Sequence, residues 1–462
     1  MGPMTVGAEQ IVTVDPATEE EVGRYTVMSD SEVDSVVSVV HARYPEWRSV
    51  PIKRRGELLR ALADALRHRV DELAGLITRE MGKPIVEARA EVRKCATACE
   101  YFADRAVEVL ADEPAPSDSP DSFIAFEPLG TVLGIMPWNF PLWQVIRFAV
   151  PALVAGNTVV LKHAAGTTGS GLALETVVLE AGFPDSVFRA LVIPGRRVAR
   201  VIEDPRIAAV SLTGSDRTGA EVAAAAGRSI KKTVLELGGS DAFVVLDDAD
   251  VDAAATTAVL SRFQNCGQSC IAAKRLIVVQ AVADQFERAV IAECERLRVG
   301  EPGDPQTQVG PMARSDLRDE LERQLRVSVD RGARILTGGR RPERRGWYFP
   351  PTILTGCLPG MPAFDEETFG PLLALTRVAN EEEAVRAANH SAFGLGGNVW
   401  TEDVERGVAF ARRLETGAVF INGMTHSDPR LPFGGVKRSG YGRELDGFGI
   451  REFVNVKTIW LG

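Results

Sequence analysis

TVLGIMPWNFP, residues 131–141, runs from an unbroken apolar stretch into a polar turn bracketed by prolines. Such a run reads as a strand buried on both faces rather than as one face of a half-exposed sheet. The same texture returns in TVVLK (158–162), VFRALVI (187–193), IAAVSL (207–212) and KTVLEL (232–237), with helix-length segments between them. That alternation predicts a doubly wound α/β unit of about five parallel strands. Sheets of this kind bind ligands beyond the carboxyl ends of their strands. There the chain places PWNFP after the first strand, KHAAGTTG after the second and TGSDRTG after the fourth. The expected ligand is nucleotide-like.

On the N-terminal side, residues 54–82 set Leu58, Leu59, Leu62, Leu66, Val70, Leu73 and Ile77 at three- and four-residue steps. This predicts one long amphipathic helix ending near Gly82. A second helix is expected over 85–111; it carries Cys95 and Cys99, read as small core residues because no third ligand lies nearby in sequence. PAPSDSPDS (114–122) breaks the pattern and reads as the turn into a projecting arm. On the C-terminal side, DAFVVL (241–246), KRLIVV (274–279), ARILTGG (333–339) and GAVFING (417–423) predict a second doubly wound domain. IREFVNVKTIW (450–460) alternates like a strand and, with no partner beside it in sequence, is expected to pair with another subunit.

With 462 residues the chain has room for two or three domains. Its 53 Lys plus Arg against 63 Asp plus Glu leave a net charge of -10, which argues against nucleic acid or an anionic membrane surface as partner. Six cysteines are too sparse for a secreted disulfide framework. The start of the chain has no basic stretch followed by an apolar core, and the apolar run from Phe148 is broken by Pro151, Gly156 and Asn157. A soluble, cytoplasmic protein is expected.

Gly214 and Gly219 open a helix after a strand, where N–H groups and the helix dipole can face a phosphate; a ligand-free turn would read the same way. Lys162 ends another strand and suits a ribose or an extra phosphate, or simply solvates a loop. Cys270, in the polar segment NCGQSCIAAKR, has the setting of a nucleophile, with Cys266 sharing the argument and a small buried loop residue as the plain alternative. Glu236, in VLELGG, is either a hydrogen-bonded structural carboxylate or a base raised by burial. None of the five histidines stands in a catalytic or metal-binding pattern, so no metal is expected.

PWNFP (137–141), LTGSDRTG (212–219), ELGG (236–239), GQSC (267–270), EETFGP (366–371) and PFGGVKRSGYGRE (432–444) occur in the order and spacing of the aldehyde dehydrogenase superfamily. The resemblance spans essentially the whole chain. Within the superfamily the chain looks most like bacterial succinate-semialdehyde dehydrogenases carrying MPWNFPLWQ, LKHA and QSCIAAKR. It implies the aldehyde dehydrogenase fold: a dinucleotide-binding domain over 1–112 and 133–236, a catalytic domain over 237–430, and a small β arm over 113–132 and 445–462 that joins subunits into a homodimer or homotetramer.

The resemblance also implies roles. Cys270 is the nucleophile, Asn139 and the Cys270 N–H form the oxyanion hole, and Glu236 activates the hydrolytic water. Trp138, Lys162, Gly214, Ser215, Gly219, Leu237, Glu367 and Phe369 fall at cofactor positions. Many NAD-preferring relatives carry a glutamate where this chain has Ala165; its absence, with Lys162, His163, Thr167 and Thr168 nearby, leans toward NADP over NAD. Arg147 and Ser427 match residues that bind the far carboxylate of succinate semialdehyde, and an arginine in QVIRFAV is costly without an anionic partner. A structural salt bridge is the alternative for Arg147. Gln264 replaces an arginine of some relatives, and glutarate semialdehyde or a non-carboxylated aldehyde stays open as substrate. Ala272 replaces the cysteine of a redox switch known in relatives. A CoA-acylating enzyme is disfavoured by Glu236, and a binding protein without activity by the intact Cys270, Glu236, Asn139 and Glu367.

Overall fold

In a computed structural model describing residues 9–119 and 121–462, Thr131–Met136 is the central strand of the first sheet, with all six residues buried. Residues 1–8, on which the reading of the start of the chain partly rests, lie outside the described residues. Thr158–His163 and Phe188–Leu191 follow on one side of the central strand, and Ile207–Thr213 and Lys232–Glu236 on the other, all parallel. The chain thus steps outward twice and then crosses back over the first strand. This reversal leaves a crevice between the ends of Thr131–Met136 and Ile207–Thr213, where doubly wound sheets bind ligands. A two-residue strand, Gly440–Tyr441, adds antiparallel to Lys232–Glu236 and brings the C-terminal segment to the same edge.

The second sheet runs Arg334–Thr337, Thr352–Thr355, Leu372–Val378, Ala273–Val279, Asp241–Val245, Gly397–Trp400 and Phe420–Ile421. Only the pairing of Arg334–Thr337 with Thr352–Thr355 is antiparallel. The four segments expected from sequence are present. Thr352–Thr355, Leu372–Val378 and Gly397–Trp400 join them: the first and last have four residues each, too short for a periodic signal, and Leu372–Val378 is an apolar run whose period alone does not separate strand from buried helix.

Two expectations are corrected. The single helix over 54–82 is two, Ile52–His68 and Val70–Met81, separated at Arg69. The break re-aims the second segment, so that Leu58, Leu59, Leu62 and Leu66 and then Leu73, Ala74 and Ile77 all reach one core, which Cys95 and Cys99 share. Val70–Met81 ends, as expected, at Gly82, whose φ of +77° suits glycine. The C-terminal strand Val454–Ile459 finds its partner inside its own chain: it pairs antiparallel with Phe123–Pro128 from Val454 opposite Pro128 to Ile459 opposite Phe123. Pairing across so much sequence leaves no local signature. The third strand of this sheet is Glu113–Pro114, beyond Phe123–Pro128, so the other edge of Val454–Ile459 is open. Among the described residues no helix is long and apolar enough to cross a membrane.

Candidate active site

The segment carrying Cys270 leaves the helix Val251–Phe263 through three consecutive left-handed residues, Asn265 (φ 52°), Cys266 (φ 55°) and Gly267 (φ 69°). Two of these are not glycine, so the turn is strained and persists only where its surroundings over-determine it. Fully buried Arg262 supplies part of that, donating to the carbonyls of Leu372 (2.6 Å), Gly267 (3.0 Å) and Thr368 (2.9 Å). Asn265 supplies more: its amide donates to the carbonyls of Asn139 (2.8 Å) and Gln268 (3.1 Å), and its backbone N–H to the Glu87 carboxylate (2.7 Å). Asn139 itself donates to the Gln268 carbonyl (3.1 Å). One amide N–H of Asn139 is therefore spent on holding the loop, and the other is left for a ligand.

Cys270 is half-buried, whereas the other five cysteines are buried. Burial pushes its thiol up to about 11, against the pull of the Arg147 and Lys274 charges. Lys274 ties the site together. Its ammonium donates to the carbonyls of Gly239 (2.6 Å) and Cys270 (2.7 Å) and to Glu367 (3.1 Å), while the Gly239 N–H donates to the same Glu367 oxygen (2.9 Å). A Cβ at Gly238 would overlap the other Glu367 oxygen, so only glycine admits this carboxylate.

Two cavities meet at Cys270. The first, about 410 Å³, fills the crevice at the reversal of strand order, lined among others by Trp138, Asn139, Gly214, Ser215, Leu237, Glu367 and Phe369. Trp138 and Phe369 meet edge to face with centroids 5.7 Å apart. Gly219 and Lys162 do not line it. Gly219 acts one layer back, where a side chain would strike Leu237, and Lys162 stands at the end of Thr158–His163, half-buried and without an ion pair among the described residues. The amides expected to face a phosphate are partly engaged, with Gly214 donating to the Glu236 carbonyl and Gly219 to the Ser215 carbonyl. His163 is removed from the phosphate-facing set: its ring is buried between the Pro141 carbonyl and the Thr167 hydroxyl, each 2.8 Å away, and burial lowers it to about 4. Thr167 is buried with it, and Thr168 donates to the Ala165 carbonyl.

The second cavity, about 210 Å³, is lined by Lys94, Trp143, Arg147, Ser427 and Phe433 among others. Arg147 is not the lone cation expected from sequence. It forms an ion pair with Glu444, donates to Thr213 (3.4 Å) and lies over the Phe433 ring. Its anion comes from the chain itself, which removes the argument that Arg147 is kept waiting for a substrate carboxylate. Glu236 lines neither cavity. It is buried against Gly434, and neither of its oxygens has a hydrogen-bond partner among the described residues. Burial and then Glu444 hold it well above the usual carboxylate range, with Arg147 and Arg443 pulling the other way. A buried carboxylate without partners is rare in a merely structural role.

Residues 4–459 match the sequence profile of the aldehyde dehydrogenase family. The chain belongs to that family. It is 48% identical to a succinate-semialdehyde dehydrogenase [NADP(+)] of Mycobacterium avium, covering 98% of this chain and 97% of the relative. It is equally similar to succinate-semialdehyde dehydrogenase [NADP(+)] 1 of Mycobacterium tuberculosis, with 98% and 99% covered. Among solved structures, succinic semialdehyde dehydrogenase from Streptococcus pyogenes in complex with NADP+ superposes with a TM-score of 0.96 at 38% identity, covering 98% of this chain and 99% of that one. For this aldehyde dehydrogenase, sequence reasoning did not weigh Lys94, Arg262, Asn265, Lys274 or Glu444. The available signal was a charge inside an apolar pattern, as in AVLSRF and KRLIVV.

Proposed function

We propose that the protein oxidises succinate semialdehyde to succinate with NADP. The observation that carries this reading is the place of Cys270, the one half-buried thiol, at the junction of a nucleotide-type crevice and a small cavity whose wall includes Lys94, Arg147 and Ser427. The mycobacterial and streptococcal relatives named for this activity with NADP support the choice of substrate and cofactor.

Whether the crevice suits a nicotinamide dinucleotide is tested by its walls: an aromatic pair, Trp138 and Phe369, and a Glu367 carboxylate held by Gly239 and Lys274 at a spot only glycine leaves open. These fit, with Ser215 and Leu237 along the crevice. The Cys270 thiolate attacks the aldehyde carbon to form a thiohemiacetal, and the oxyanion is met by the free N–H of Asn139 and the backbone N–H of Cys270. The hydride acceptor needed next is the chemistry NADP supplies when bound. The thioester left on Cys270 is hydrolysed by water whose proton Glu236 removes, its unpartnered carboxylate turning toward the sulfur. A high proton affinity suits such a base.

The domain division 1–112 with 133–236, 237–430, and an arm of 113–132 with 445–462 belongs to the same proposal, supported by the three largest of the five sheets, of six, seven and three strands. So does a homo-oligomer, supported by the open edge of Val454–Ile459 and the exposed Val456, Trp460 and Leu461 beside it. The six cysteines are free thiols, which suits the cytoplasm. The deciding experiment measures initial rates of reduced-nicotinamide formation with succinate semialdehyde and butanal, each with NADP and NAD. The expected result is highest kcat/KM for succinate semialdehyde with NADP; equal values for both aldehydes overturn the substrate reading.

A further inference from the structure

The wall of the second cavity contains two long cations, and they differ in what they already hold. Arg147 is paired with Glu444. Lys94, on the helix Ile85–Val109, has no ion pair among the described residues. The charged groups around it are already engaged. Glu91, one turn back on the same helix, takes Lys83 and the backbone N–H groups of Leu142 and Trp143. Glu87 takes the Asn265 N–H, and Asp428, next to Ser427 in the chain, is bound by Arg430. Cys95, Arg147 and His426 complete the titratable groups facing it, and none is a free anion.

What Lys94 does hold is Ser427. Its ammonium donates to the Ser427 hydroxyl oxygen at 2.7 Å, and the Trp143 indole N–H donates to the same oxygen at 3.0 Å. A hydroxyl has two acceptor sites and one proton. With both acceptor sites filled, the Ser427 O–H is left as a donor to the cavity. Lys94 keeps two further N–H groups and sits 4.2 Å over the Trp143 ring, which fixes the ammonium in place without neutralising it. A largely buried ammonium with no anion is costly, and the cost is recovered when an anion enters.

We infer that Lys94, with the Ser427 hydroxyl it orients, anchors the carboxylate at the far end of the substrate. The assignment rests on the substrate reading above, that the aldehyde carries a far carboxylate. Lys94 is a specificity-determining residue for that reaction. It takes no part in the chemistry at Cys270.

The test compares wild type, Lys94→Met and Lys94→Arg by the ratio of kcat/KM for succinate semialdehyde to that for butanal. Loss of a charge-assisted contact lowers this ratio roughly 10- to 100-fold in Lys94→Met, chiefly through KM for the charged aldehyde. Lys94→Arg recovers most of it, which a structural role would not predict and which guards against misfolding of the methionine variant. Burial lowers the Lys94 ammonium to about 8. KM for succinate semialdehyde therefore climbs above that pH more steeply in wild type than in Lys94→Arg, where Glu87 on the cavity wall, raised by burial to about 7, still changes charge. A Lys94→Met ratio within about twofold of wild type overturns the assignment while the substrate reading stands. A wild type without preference for the charged aldehyde overturns both, so the wild-type ratio tells the two failures apart.

Discussion

Arg147 and Glu444 form an ion pair in which each side chain is only 2% exposed. Both groups also act on Glu236, Glu444 raising its proton affinity and Arg147 lowering it. Removing one partner of a buried pair leaves the other charge stranded. Arg147→Met is thus expected to lower stability by about 3–5 kcal/mol, measured by urea unfolding, and to depress turnover of succinate semialdehyde and butanal together. Selective loss of the charged aldehyde in this variant would return the carboxylate to Arg147.

The thiol of Cys270 is pushed up to about 11 and is the most exposed of the six, while the other five are buried and held higher still. Only the thiolate alkylates, so labelling of the free enzyme by iodoacetamide should rise about tenfold per pH unit below that value. Mass spectrometry should place the label on Cys270 first. Cys270→Ala should abolish turnover while NADP binding, followed by fluorescence, persists.

Glu236 is a raised carboxylate, protonated over a wider range than an ordinary one and active as a base only once deprotonated. Hydrolysis of the thioester therefore quickens as pH rises through its titration. Glu236→Gln should cost roughly 10²- to 10⁴-fold in kcat and leave a stoichiometric burst of reduced nicotinamide. Stopped-flow absorbance reads both, and undiminished steady-state turnover would remove Glu236 from the mechanism.

At Gly238 a methyl group would displace the Glu367 carboxylate from Gly239 and Lys274. Gly238→Ala should weaken NADP binding by roughly 5- to 100-fold, seen as a raised Kd in calorimetry, with the midpoint of thermal unfolding little changed.

Ala165 is exposed at the start of the turn after Thr158–His163, three residues beyond Lys162. Ala165→Glu places a negative charge beside the proposed site of the 2′-phosphate. The ratio of kcat/KM with NADP to that with NAD should fall by at least about tenfold, and Lys162→Ala should lower it further. An unchanged ratio would move the phosphate elsewhere along the crevice.

The sequence by itself determined most of the elements and brought Cys270 forward as the candidate nucleophile. Runs such as TVLGIM and IAAVSL read as strands covered on both faces, because they are almost wholly apolar, and their spacing leaves room for crossover helices. Cys270 was legible because a thiol in a polar, glycine-containing loop is unlike a core cysteine. What the tertiary structure alone decided is which charges are satisfied. Arg147 is an unexplained cation in QVIRFAV until Glu444 arrives from the far end of the chain. Lys94 is one more charge on an amphipathic helix until every carboxylate near it proves to be engaged. The strand Val454–Ile459 reads as unpartnered until Phe123–Pro128 is folded beside it. Periodicity is local and survives in the sequence. Electrostatic pairing and strand pairing act through space between residues far apart in the chain, so only the folded structure reveals which charge is left to bind a substrate.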